Sequence, residues 1–271
     1  MTRIRPAAVA GAFYPGDAER LAAEVGERLR AAPAPRPGER APKAIIAPHA
    51  GYIYSGPVAA SAYARVAPLR GRISRVVLAG PAHRVAVRGA AVPAVGAFAT
   101  PLGTIALDGE ALERLRRLPF VETSDPAHAL EHSLEVHLPF LQAVLGDFRL
   151  VPVVVGGATP AQMAALLEEV WGGDETLVVA STDLSHFLPY DAARERDRAT
   201  ASAILAMAPG LEPEDACGAA PVNGLLVAAR RRGLEIELLD LRNSGDTAGG
   251  RGQVVGYGAF ALREAGEARH A

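Results

Sequence analysis

Cysteine is nearly missing from this chain: Cys217 stands alone among 271 residues. An intramolecular disulfide is therefore excluded, and the thiol is a small buried filler, a reactive group or a metal ligand. Lysine is as scarce, with Lys43 the single one among 28 basic residues. It opens a strand-like run, at the end of a sheet opposite to where ligands collect, so imine catalysis is not expected. An excess of one charge is lacking too. A formal net charge of −2 gives no basic footprint for nucleic acid, and no apolar run has bilayer length, so neither nucleic acid nor membrane is an expected partner. Arg3 and Arg5 are not followed by the hydrophobic region of a secretory signal, and the expected location is the cytoplasm.

What the chain does have is apolar mass, 49% of its residues, enough for a sizeable core. No internal repeat or low-complexity region interrupts it, and a single domain over 1–271 is expected. The stretch 43–56, KAIIAPHAGYIYSG, organises the reading. Ala44, Ile45, Ile46 and Ala47 form a short unbroken apolar run of the kind a buried parallel strand needs. Pro48 withholds a ladder donor and ends it, leaving His49 at the carboxyl end and Gly51 free to turn. Ser55, Gly56 and Pro57 read as the cap and first turn of an alanine-rich helix to about residue 66. The same grammar returns at 75–83, where RVVLAG precedes Pro81-Ala82-His83. It returns again at 175–186, where ETLVVAS precedes Thr182-Asp183-Leu184-Ser185-His186. A strand at 149–155, helices at 17–31, 108–118, 160–171, 191–207 and 221–232, short antiparallel strands within 90–106, and last strands near 235–241 and 253–262 complete the alternation. A helix opened by Asp125-Pro126 is expected to reach 145 with a kink near Pro139. The fold class is α/β: one domain with a central mixed, mostly parallel sheet flanked by helices.

Three strand ends thus present His49, His83 and the pair Asp183 and His186, and in a wound sheet such ends converge on one crevice. Neutral imidazoles there suit Fe, Cu, Zn or Ni. A rival lies in His128-Ala129-Leu130-Glu131-His132, which matches the inverted zinc-protease pattern. On one helix, His128 and His132 share a face, Glu131 and Glu135 a neighbouring one, and His137 turns away in a structural role. The plain alternative for the glutamates is a solvated helix face. Tyr52, Tyr54 and Phe187 would wall the crevice and pack on a planar substrate, core packing being the other use of such rings. Ser55 and Ser181 have no nucleophile-elbow context. The Gly250-Arg251-Gly252 run precedes a strand and reads as a turn rather than a nucleotide loop.

Six motifs in order, AVAGAFYP, PHAGYIYSG, GPAH, EHSLEVHLPFLQ, STDLSHF and Cys217-Gly218, resemble the Memo family, also called AmmeMemoRadiSam system protein B, over essentially the whole chain. That family is similar in fold to class III extradiol ring-cleaving dioxygenases, which are non-haem iron enzymes, so the resemblance implies a metal in the crevice. It implies His49, His83 and Cys217 as metal ligands, His186 as acid/base with Asp183 orienting it, and Glu131 and His132 in supporting positions. The implied ion is iron or copper, with zinc also allowed. Two histidines and a thiolate are softer than the two histidines and carboxylate of the dioxygenases, which shifts preference toward copper or zinc. The implied function is redox or oxygen-dependent chemistry on a small, planar, oxygen-bearing substrate. Two alternatives stay open. One is a non-catalytic module that binds a peptide or acts with AMMECR-type and radical SAM proteins; the other is a zinc hydrolase built on His128, Glu131 and His132.

Overall fold

A computed structural model describes residues 3–265, so the two first and six last residues of the expected 1–271 domain lie outside the described residues. Four strands, Ala44–Ala47, Thr176–Ser181, Arg75–Pro81 and Arg149–Val155, lie side by side and parallel in that order. Apart from the leading arginines every residue in them is buried, which explains why their sequences run apolar without alternating. Val254–Glu264 joins antiparallel to Ala44–Ala47 and carries both Leu234–Asn243 and His186–Leu188. On the other flank Ala90–Val92 runs antiparallel to Arg149–Val155, with Val121–Thr123 beyond it. The nine-stranded sheet is mixed, in an α/β domain. Ile4–Arg5, Ala97–Thr100 and Gly103–Ala106 form a separate small sheet.

Helix Tyr52–Val66 packs on Ala44–Ala47 and Val254–Glu264, with Ala18–Ala31 against it; Ala219–Arg231 packs on Arg75–Pro81 and Thr176–Ser181, with Pro160–Val170 against it. Caps hold the helix starts where side-chain oxygens meet otherwise unpaired N–H groups. Asp17 accepts from the Arg20 N–H, Asp108 from that of Ala111, and Thr159 and Gln162 form a reciprocal box. Among the described residues no helix is long and apolar enough to cross a membrane.

Two helices depart from the sequence expectation, each for a tertiary reason. The helix expected to start at Ser55 starts at Tyr52, so Pro57 lies inside it. The Tyr52 N–H donates to Phe13 O at 2.7 Å, and Ser55 Oγ to Ala50 O at 2.8 Å, which anchors an extra turn before the proline. The helix expected from 125 to 145 is three short ones, Asp125–Ala129, His132–Glu135 and Leu138–Leu145. Arg5 causes the first break. Its Nε donates to His128 O at 2.6 Å and its Nη2 to Glu131 O at 2.7 Å, taking carbonyls that a continuous helix would give to residues 132 and 135.

Candidate metal centre

His49 leaves the sheet at the carboxyl end of Ala44–Ala47, beside the end of Thr176–Ser181, because the parallel register sets Ala47 opposite Ser181. Its backbone N–H donates to Asp183 Oδ1 at 2.8 Å, and its ring Nδ1 stands 2.6 Å from Ser181 Oγ. Burial first, and the neighbouring imidazoles of His83 and His132 next, push its pKa well below the ordinary histidine value, so the ring is neutral.

His83 follows Arg75–Pro81 and is held by Glu131. Its backbone N–H donates to Glu131 Oε2 at 2.6 Å, its Nδ1 lies 2.9 Å from Oε1, and the Ser133 N–H donates to Oε1 at 2.9 Å. Burial raises the Glu131 carboxyl, but the His83 ring and these two amides outweigh it and hold it at about 2. An ionised carboxylate only accepts, so His83 carries its proton on Nδ1 and keeps the Nε2 lone pair free. His132 stacks on His83 with ring centroids 4.6 Å apart. Its buried Nδ1 has no hydrogen-bond partner, standing 3.4 Å from Glu131 Oε1, and burial pushes the ring down to about 4.

Cys217 Sγ lies 3.3 Å from His49 Nε2 and accepts from the Asp183 N–H at 3.4 Å. Gly218 permits this approach, since a Cβ there would sit 2.2 Å from Ser181 O. Burial, then the Asp183 carboxylate, pushes the thiol up to about 12. The protein alone therefore keeps it protonated, and a bound cation is what would make it a thiolate.

One ring nitrogen from each of His49, His83 and His132 lies within 4.8 Å of the other two. Three imidazoles, one buried nitrogen without a partner and a soft sulfur against His49 fit a transition-metal ion, not a cation that seeks oxygen. His83, His186, Leu188, Arg196 and Cys217 help to line an adjoining cavity of about 470 Å³.

The structure thus gathers His49 and His83 with His132, expected in a supporting position, as the third imidazole; Cys217, expected as the third ligand, touches His49 at 3.3 Å and stands beside that group rather than within it. Asp183 is buried, which raises its carboxyl to about 7 against the pull of the His49 N–H. Among the described residues none of its side-chain hydrogen bonds reaches His186; its partner is the His49 loop. His186 faces the cavity, its pKa lowered by burial. Tyr52 is no crevice wall: it is fully buried between Tyr14 and Phe140, and its hydroxyl donates to Val136 O at 2.7 Å. Tyr54 is half-buried against the core, and Phe187 is exposed beside His186. The inverted zinc-protease arrangement does not form, because the helix breaks between its two histidines and His128 Nε2 is 3.0 Å from Ala91 O. Sequence reasoning missed Ser181 and His137, whose Nε2 is 2.8 Å from Ser181 Oγ. Pairing Ala47 with Ser181 across parallel strands was the signal that could have found the serine.

The Memo-like protein family model matches residues 5–261. A MEMO1 family protein of Ignicoccus hospitalis is 38% identical over 281 residues, covering 94% of this chain and 97% of that one. One of Methanothermobacter thermautotrophicus is 38% identical over 275 residues, covering 94% and 98%, and one of Sulfolobus acidocaldarius 35% over 277, covering 94% and 97%. Among solved structures, the uncharacterized protein JW3007 of Escherichia coli K12 shares the fold at a TM-score of 0.51 and 17% identity, over 82% of this chain and 100% of that one.

Proposed function

This chain belongs to the Memo-like protein family, and we propose that it holds one iron or copper ion on His49, His83 and Cys217, with His132 beside them as a further nitrogen donor. The observation that carries the reading is the meeting of three imidazoles from separate segments, with a thiol against one of them, beside the carboxyl ends of the parallel strands Ala44–Ala47 and Arg75–Pro81. Zinc fits the same donors but would supply no redox couple. Bound iron or copper supplies Lewis acidity and one-electron chemistry. The chain's own groups do the rest. Glu131 aims His83, Asp183 holds the His49 loop, and His186, neutral at the cavity, takes or returns a proton. The adjoining cavity of about 470 Å³ suits a small, planar, oxygen-bearing substrate.

Elemental analysis of anaerobically purified protein tests this. Near-stoichiometric iron or copper, lost in both His49→Ala and Cys217→Ser, is expected. A native protein that takes up none of iron, copper and zinc on reconstitution would overturn the reading.

A second reading, a non-catalytic module acting with AMMECR-type and radical SAM proteins, is favoured by two exposed apolar side chains. Phe187 and Leu130, 68% and 66% exposed, are the sequence neighbours of His186 and Glu131. Saturable peptide or partner binding that persists in metal-free protein, and is lost in Phe187→Ser, would support it over the enzyme.

A further inference from the structure

The hydroxyl of Ser181 touches three groups around the cluster, one from the His49 loop and two from the stretch 133–137. Ser181 ends its strand, is 0% exposed, and has no nucleophile setting. Its Oγ lies 2.6 Å from His49 Nδ1, 2.8 Å from His137 Nε2 and 2.6 Å from Ser133 O, next to His132. A hydroxyl has one proton to donate and two lone pairs to accept with. The Ser133 carbonyl can only accept, so it takes that proton. Both imidazoles must then donate, each through the nitrogen that faces Oγ.

The rest of the chain agrees with that assignment. The other nitrogen of His137, Nδ1, is 2.8 Å from the Tyr63 hydroxyl, which donates to it. His137 is therefore proton-bearing on Nε2 and lone-paired on Nδ1. For His49 the result is opposite: the proton sits on Nδ1 and the lone pair on Nε2, the nitrogen 3.3 Å from Cys217 Sγ and turned toward the cluster. Tyr63, His137, Ser181 and Ser133 O thus form a directed chain in which no proton can be moved without leaving a buried group unpaired.

We infer that Ser181, backed by His137 and Tyr63, is a positioning residue that fixes the His49 tautomer and ring angle so that Nε2 is offered to a metal. The inference rests on the metal-centre reading above. For His49 it is the counterpart of what Glu131 does for His83. One histidine is thus backed by a carboxylate and the other by a neutral hydroxyl, so the two donors are held by unlike supports.

The test reads the tautomer directly. Long-range ¹H–¹⁵N correlation spectra of metal-free protein should show His49 protonated on Nδ1, and Ser181→Ala should lose that single form. Anaerobic titrations with iron(II) and with zinc(II) should show Ser181→Ala weaker by about 10- to 100-fold, as removal of such a partner typically costs, while far-UV circular dichroism stays unchanged. Tyr63→Phe, which spares the serine, should weaken binding by about threefold or less, its effect passing through one more hydrogen bond. Affinity in Ser181→Ala within about twofold of the native protein would overturn the inference. So would a native His49 protonated on Nε2, a result that needs no variant to fold. Native protein that binds neither of these metals, nor copper(I) titrated in the same way, overturns the metal-centre reading and this inference with it; a native protein that binds metal with Ser181→Ala its equal overturns the inference alone.

Discussion

Glu131 and Glu135 are one helical turn apart in sequence and both are buried, 2% and 0% exposed, yet they serve opposite ends. Glu135 accepts from Arg5 Nη1 at 2.5 Å, the Tyr14 hydroxyl at 2.6 Å and the backbone N–H groups of Ala8 and Val9 at 2.8 and 2.9 Å. Its charge is matched and its lone pairs are used, and the result is a clamp that ties the stretch 5–14 to the domain. Glu131 is just as well supplied, but two of its three hydrogen-bonding donors belong to His83, whose Nε2 lone pair remains unspent beside two more imidazoles. Burial and short hydrogen bonds alone do not mark a site. Donor capacity left over after the protein has satisfied itself does.

The sharpest way to separate the two clusters is to cut each. Glu135→Ala leaves the Arg5 guanidinium buried without its partner and should cost about 3–5 kcal/mol of stability. The measurement is the denaturant midpoint, with metal bound per folded molecule expected to stay unchanged. A loss of metal out of proportion to the folded fraction would merge what the comparison separates.

Acid should act next, and on the imidazole side. Burial holds His128 and His132 at about 4 and His137 at about 3, and keeps His49 well below its ordinary value. These folded-state values lie under the unfolded value of about 6.5. The unfolded chain therefore takes protons that the native one refuses, and stability is full above about pH 6.5 and falls as pH drops toward about 4. Each ring contributes about 1.4 kcal/mol per pH unit in that window, while the Asp183 carboxyl, raised to about 7, takes up a proton in the folded state there and offsets one of them. Urea unfolding of metal-free protein across the range from neutral to mildly acidic pH reads this as a steep fall in midpoint; a flat profile would mean the rings are solvated.

Glu131→Gln keeps the shape and removes the charge. Metal affinity should drop by about 10- to 100-fold, measured by competition with a chelator, with the denaturant midpoint moving less than in Glu135→Ala. The smallest effect belongs to His128→Gln, which should leave metal affinity within about twofold, because that ring faces Ala91 O rather than the cluster. Loss of metal in this variant alone would restore the hydrolase arrangement.

Much of the site is legible in the chain's own pattern. Unbroken apolar runs, each followed by a proline or small residues and then a histidine, mark His49, His83 and His186 as strand-end groups. Their convergence follows from the parallel sheet. Tyr52 misleads, because a tyrosine one turn past His49 reads alike whether it faces the crevice or the core; a hydrogen-bonding partner at Val136 O makes the core possible. His132 misleads for a different reason. Its place in the cluster needs the chain to break after Ala129 and restart, and that break is made by Arg5, 123 residues away from the His128 carbonyl it takes.

The division follows from the range of the forces. Strand identity, the caps and the exit of the histidines at the sheet edge are short-range consequences of side-chain shape and backbone hydrogen bonding, so the order of residues along the chain is enough to specify them. Which nitrogens are left free, which carboxylate clamps and which orients, and the meeting of His132 and Cys217 with His49 depend on partners distant in the chain. Those are fixed by folding, because a buried polar group is defined by whichever donor or acceptor packing brings to it.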